Sequence, residues 1–270
     1  MMEKLPKMRG LLIDLDGTLY HGTHRINGAD KLITYLRDIG LPFRFVTNNS
    51  SASPGEVAAR LLKMGIAAAA EEVCTSAQAA AEHMAGIQPG ASVFVVGEAG
   101  LKDAVREKGL LLTEEQPDFV VQGIDRSFTY KRLAKAVRYI HGGATYVLTN
   151  PDLLLPSGDG LIPGAGSIGA MLTAAGGKEP VLIGKPSSVL MDYSLKSIGL
   201  TADETWVIGD NMATDIAFGK KAGCGTVLVL TGLTTEKNMD DYMEQAGCKP
   251  DVVCKDLEEL RSYISGQREI

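Results

Sequence analysis

The chain has 270 residues and a net charge of −6, with 45% hydrophobic and 22% charged residues, a globular balance long enough for one large domain or two modest ones. Its 27 Lys and Arg are scattered rather than striped, which excludes a basic nucleic-acid surface, and no charge-free run of about 18 apolar residues is present to span a membrane. The four cysteines, Cys74, Cys224, Cys248 and Cys254, form no CxxC pair and fit neither a zinc site nor a disulfide framework, so reduced thiols and a cytoplasmic location are expected.

The opening MMEKLPKMRG carries charge, and Asp14 arrives before any apolar h-region, so no signal peptide is expected. The first apolar run, Leu11, Leu12 and Ile13, is broken by Asp14, resumes at Leu15 and is broken again by Asp16. ADKLITYLRDIG then places Leu32, Ile33, Leu36 and Ile39 on one helical stripe and closes on Gly40. After FRFVTNN (43–49), PGEVAARLLKMG predicts a second helix with Val57, Leu61 and Leu62 inward, opened by Ser53 as cap and Pro54 as first helical residue. The Ala-rich stretch 76–91 reads as a seam. SVFVVG (92–97), DFVVQG (118–123) and TYVLTN (145–150) read as strands, and AAGGKEP (174–180) as a second seam. PVLIG (180–184), TWVIGD (205–210) and GTVLVLTG (225–232) close the series. Short apolar strands alternating with helices predict an α/β fold, a doubly wound parallel sheet with helices on both faces. Residues 1–79 and 180–270 are expected to form this core, with a smaller α/β domain over 80–179.

Ligands of open α/β sheets bind beyond the carboxyl ends of the strands. Those ends carry Asp14, Asp16, Gly17 and Thr18; Thr47, Asn48 and Asn49; Gly184, Lys185 and Pro186; and Asp210, Asn211 and, five further on, Asp215. Asp14 and Asp16, two apart on an extended chain, point to one side. With Asp210 they would repel, and one would hold a proton, unless a hard cation such as Mg²⁺ joined them. Lys185 supplies a compact positive charge for phosphate, Thr47, Asn48 and the backbone N–H groups after Asp14 complete an anion cradle, and Gly17 lets the turn approach a ligand closely. One carboxylate can then attack phosphorus while the other manages protons.

DLDGTLY, FVTNN, GKP and GDNMATD, in that order, resemble the four motifs of the haloacid dehalogenase-like hydrolase superfamily, and together they cover the chain. TNPD, PGAG and GDNxxTDI resemble its class IIA members, the NagD and p-nitrophenylphosphatase-like group of the Gram-positive type. The resemblance implies a Rossmann-like core and a Mg²⁺-dependent phosphomonoester hydrolase that forms an aspartyl-phosphate, acts on a small phosphorylated metabolite and accepts p-nitrophenyl phosphate. It makes Asp14 the nucleophile and Asp16 the general acid/base, whose backbone carbonyl also faces the metal. Thr47, Asn48 and Lys185 would bind phosphate. Asp14, Asp16 and Asp210 would hold the metal, with Asn211 and Gly17 in support and Asp215 holding Lys185 or a metal-bound water. The long gap between Thr47 and Lys185 resembles the class whose cap lies between the second and third motifs. Within that cap, loops 125–130 and 150–156 would face the site, the latter as a partly apolar lid with Asn150, Asp152 and Leu155 selecting the leaving group. A monomer or homodimer is expected.

The alternatives are a phosphoryl-transferring mutase, or a phospho-acceptor or binding protein without turnover. Mutases more often carry a helical cap directly after the first motif, and Asp16 is placed for turnover. Asp215 is also open to reading as a cap of the helix that follows it, and Thr47 as a strand-end hydroxyl capping the next helix. Gly164, Gly166 and Gly169 fit G-x-G-x-x-G, but no clear strand immediately precedes them and no acidic residue follows at the right distance, so a tight turn into a helix is expected. His21, His24, His83 and His141 form no ligand-spaced cluster and read as structural or surface residues, and Trp206 reads as core.

Overall fold

A computed structural model describes residues 5–157 and 160–268; the first four residues of the stretch read for a leader lie outside them. The chain divides into two compact units, one from the described residues of Met1–Thr47, Val57–Cys74 and Met191–Ile270, the other from Asn48–Glu56 and Thr75–Leu190. Each is α/β, as the alternation of apolar runs and helices predicts. No helix among the described residues is long and apolar enough to cross a membrane.

The first unit is built on a sheet in the order Val252–Cys254, Gly225–Val229, Thr205–Gly209, Gly10–Ile13, Phe43–Thr47 and Val73–Thr75. Gly10–Ile13 runs parallel to both neighbours, Ile13 opposite Ile208 on one side and Phe45 on the other. The chain winds outward from it in both directions, so the strand order reverses here, the position at which such sheets bind ligands. Gly10–Ile13 and Thr205–Gly209 are buried along their whole length, which is why they read as unbroken apolar runs. Trp206 is 1% exposed, and its indole N–H donates to the Pro6 carbonyl at 3.0 Å.

Helix Ala29–Asp38 buries Leu32, Ile33 and Leu36 of its predicted stripe together with Ala29, whereas Ile39 follows the helix as its C-cap and is half-buried. In helix Pro54–Lys63, Ser53 and Glu56 form a reciprocal cap: the Ser53 N–H donates to the Glu56 carboxylate at 2.7 Å, and the Glu56 N–H to the Ser53 hydroxyl at 3.3 Å. Its buried face is Val57, Ala58 and Leu61. Leu62, expected inward, is 56% exposed, because one residue past Leu61 turns the side chain about 100° around the helix.

The second unit carries a parallel sheet in the order Val181–Leu182, Thr145–Leu148, Phe119–Gln122, Ser92–Val96 and Leu111–Leu112. Its core packs Phe94, Val120 and Tyr146 against Leu133, Ile140 and Leu172 of two helices. The 150–156 stretch is not all loop. Leu154–Ser157 pairs antiparallel with Gly160–Pro163, Leu155 opposite Ile162. A strand therefore does precede Gly164, but it belongs to an exposed two-stranded ribbon rather than a central parallel strand. Gly164 caps helix Ala165–Gly176, the turn into a helix that the sequence predicts.

All four cysteines are free, and burial raises each thiol, Cys224 and Cys254 to about 12, so they are poor nucleophiles.

Candidate active site

In the first unit, the parallel register of Gly10–Ile13 with Thr205–Gly209 brings Asp14 and Asp210 out at adjacent strand ends, with the Asp14 N–H donating to the Ile208 carbonyl at 2.9 Å. Thr47 ends the strand on the other side. After Asp14 the backbone coils tightly: the Leu19 and Tyr20 N–H groups donate to the Leu15 carbonyl at 2.8 and 3.2 Å, and the Gly17 N–H to the Tyr20 carbonyl at 2.8 Å. Leu15 and Leu19 are fully buried and anchor the coil, about 2 kcal/mol of burial each. Gly17 has φ 86°, and a Cβ there would overlap the Asp210 carboxylate, so the position excludes side chains on two grounds.

Asp14, Asp210 and Asp215 each present one carboxylate oxygen within 4.8 Å of the others, Asp14 partly buried and the other two buried. The Thr18 hydroxyl lies 3.2 Å from Asp14 Oδ2 and 3.3 Å from Asp210 Oδ1 and bridges the two carboxylates. Three carboxylates this close repel, and three hard oxygen donors match a small divalent cation such as Mg²⁺. The residues present therefore fit a metal of the expected kind. The carboxylate trio holds Asp215 beside Asp14 and Asp210, while the Asp16 side chain stands exposed two residues along.

Asp215 reaches the trio through a π-type turn, Met212–Ile216, in which the Ile216 N–H donates to the Asn211 carbonyl at 3.2 Å. The Asn211 side chain caps this turn, accepting from the Ala213 and Thr214 N–H groups at 3.0 and 3.4 Å. The Asn211 N–H in turn donates to Asp215 Oδ2 at 3.2 Å. Asp215 lies inside this turn, with Asn211 as its cap.

The Asp16 carboxyl is raised above its ordinary range, first by lost hydration and then by the charge of Asp14. His21, Arg60 and the Gly22 N–H oppose the rise. Arg60 is held beside it by Tyr20: its guanidinium donates to the Tyr20 hydroxyl at 2.7 Å and lies 5.0 Å from the ring centroid.

Asn48 and Lys185 belong to the second unit, where they are tied together. The Lys185 N–H donates to Asn48 Oδ1 at 2.7 Å, and Asn48 Nδ2 donates to the Lys185 carbonyl at 3.2 Å. Lys185 is 3% exposed, an unusual burial for a lysine. Asn150, in the same unit, is buried and accepts the Asp152 N–H at 2.8 Å; Leu155 is half-buried in the ribbon.

Sequence reasoning placed Thr18 at the strand end but gave its hydroxyl no role, and it passed over Arg60 and loop 231–234. The Leu233 N–H of that loop donates to Asp210 Oδ2 at 2.6 Å. The signal was present as TGLT after the GTVLVL strand, a polar strand end like those of Asp14, Thr47, Lys185 and Asp210.

Residues 11–111 match the family model described as haloacid dehalogenase-like hydrolase, and 182–260 a second described as HAD-hydrolase-like. The chain is 44% identical over 256 residues to the 5'-nucleotidase YutF of Bacillus subtilis, covering 95% of this chain and 98% of that protein. It is 40% identical over 256 residues to an acid sugar phosphatase of Staphylococcus aureus, 94% and 97% covered. Among solved structures, the p-nitrophenyl phosphatase of Archaeoglobus fulgidus is similar at TM-score 0.91 and 36% identity, covering 96% of this chain and 100% of that one. The 4-nitrophenylphosphatase of Thermotoga maritima matches at TM-score 0.88 and 36% identity, with 94% and 97% covered.

Proposed function

The chain belongs to the haloacid dehalogenase-like hydrolases and is a phosphatase, and on that premise we propose that it hydrolyses small phosphomonoesters through an aspartyl-phosphate with Mg²⁺ as cofactor. The observation that carries the reading is the trio of Asp14, Asp210 and Asp215 at the reversal point of the sheet, its first two members bridged by Thr18. These carboxylates, with the Asp16 carbonyl, would hold Mg²⁺, which when bound draws charge from the phosphoryl oxygens and offsets the repulsion among the acids. An Asp14 carboxylate oxygen attacks phosphorus as the bond to the leaving oxygen breaks, and Asp16 gives that oxygen its proton. Asp16 then takes a proton from water, whose oxygen attacks the phosphorus, releasing phosphate and restoring Asp14. Its raised carboxyl suits the acid half of this cycle. Thr47, Asn48 and Lys185 bind the phosphate, Lys185 by its charge and Asn48 also by holding the Lys185 backbone. Segment 80–179 acts as a cap in which Asn150, Asp152 and Leu155 select the leaving group. Nucleotides and sugar phosphates, the substrates in the names of the two relatives, define the panel to screen.

Hydrolysis of p-nitrophenyl phosphate tests the mechanism. Activity is expected with Mg²⁺, is expected to vanish with chelator, and is expected to fall at least about 10⁴-fold in Asp14→Asn, because the amide is no nucleophile. Turnover by Asp14→Asn at the wild-type rate would sink the covalent mechanism.

A further inference from the structure

The loop after strand Gly225–Val229 touches Asp210 at three points. The Leu233 N–H donates to its carboxylate Oδ2 at 2.6 Å, the Thr234 N–H donates to its carbonyl at 3.1 Å, and a Cβ built on Gly232 would overlap the carboxylate itself. The backbone is thus pressed against the acid as only glycine permits. The same loop holds the turn after Asp14, because the Thr231 hydroxyl donates to the Gly17 carbonyl at 2.8 Å.

From the other side the loop is gripped by His21. This residue sits in the small hairpin of Tyr20–His21 and His24–Arg25 that follows the Asp14 turn. Its Nε2 lies 2.7 Å from the Thr231 carbonyl oxygen. A carbonyl only accepts, so Nε2 carries the proton and donates. The chain of bonds runs His21 to Thr231, Thr231 to Gly17 and Leu233 to Asp210, closing a ring through the Thr18 hydroxyl.

We propose that loop 231–234, latched by His21, is a positioning device for Asp210: it fixes the carboxylate's orientation and its distance from Asp14, and so sets the affinity for the divalent cation. The proposal rests on the phosphatase reading above. The Leu233 N–H on Oδ2 and the Thr18 hydroxyl on Oδ1 leave Asp210 few ways to turn, so the carboxylate is held in one orientation. Ligand carboxylates held by such hydrogen bonds bind metal more tightly than mobile ones, and loss of a holding bond costs about 10- to 100-fold in affinity. His21 is exposed, so replacing it removes the latch without opening the core.

The test compares His21→Leu, which keeps bulk without a donor, with His21→Gln, whose amide can still donate to a carbonyl. Thr231→Val and Thr231→Ser form a second pair, with thermal melting as the check that each variant folds. Mg²⁺ binding is read by calorimetry, independently of turnover, and beside it the Mg²⁺ dependence of p-nitrophenyl phosphate hydrolysis. The expected result is Mg²⁺ affinity about tenfold weaker in the Leu and Val variants and within about twofold of wild type in Gln and Ser, with KM for the ester at saturating Mg²⁺ unchanged. Leu and Val variants that bind Mg²⁺ as tightly as wild type overturn the positioning role alone, as do Gln and Ser variants as weak as Leu and Val. A wild-type protein that binds no Mg²⁺ overturns the metal reading and this proposal with it.

Discussion

At the scale of single residues, Asp16 is an acid whose charge the fold resists. Its folded-state carboxyl holds a proton more tightly than the ordinary 3.8, because the surrounding protein takes part of its hydration and Asp14 lies close. The sign of the stability effect follows. The cost is absent below the unfolded value, grows as pH rises through the window between 3.8 and the raised value, and is full at neutral pH. Asp16→Asn is therefore expected to melt higher than wild type at neutral pH in chelator. The gain is at most about 1 kcal/mol, since the carboxyl is accessible and screened, or about 2–4 °C. The same variant should lose at least about 100-fold in turnover. Melting curves at neutral pH and below pH 4 check it; equal melting at neutral pH would mean the ionised carboxyl costs nothing. Asp14 and Asp210 were legible in the sequence because a carboxylate directly after a buried apolar run is conspicuous. Leu233 and His21 were not. Leu233 acts through its backbone N–H, which carries no residue signature, and His21 through a partner 210 residues away.

At the scale of elements, the turn Met212–Ile216 carries Asp215 and depends on its cap. Asn211→Ala removes the acceptor of two N–H groups and is expected to cost about 1 kcal/mol in chemical denaturation, with most of it restored by Asn211→Ser. A wild-type midpoint for Asn211→Ala would show that water caps the turn equally well. The parallel strands and most helices could be read from the sequence because burial on both faces leaves unbroken apolar runs. The ribbon of Leu154–Ser157 and Gly160–Pro163 could not. Leu153, Leu154 and Leu161 are all more than half exposed, so apolarity there marks an uncovered surface rather than a core. Val73–Thr75 is too short to show a period.

For the whole molecule, the decisive feature is the order in which the chain visits its two units: it crosses between them after Thr47, Glu56, Cys74 and Leu190. A single break between the exposed residues Ser127 and Phe128 would therefore release neither unit. It would leave two fragments, each holding part of both sheets. Gly10–Ile13 on the first fragment pairs with Thr205–Gly209 on the second, and Phe119–Gln122 on the first pairs with Thr145–Leu148 on the second. Asp14, Asp16 and Thr47 would travel with one piece, and Lys185, Asp210 and Asp215 with the other. The protein is thus a natural candidate for fragment complementation. Co-expressed 1–127 and 128–270 are expected to elute together under native conditions, to part only in denaturant and to hydrolyse p-nitrophenyl phosphate jointly while neither does so alone. Separate elution would mean that the two seams of strand pairing are too weak to replace one peptide bond.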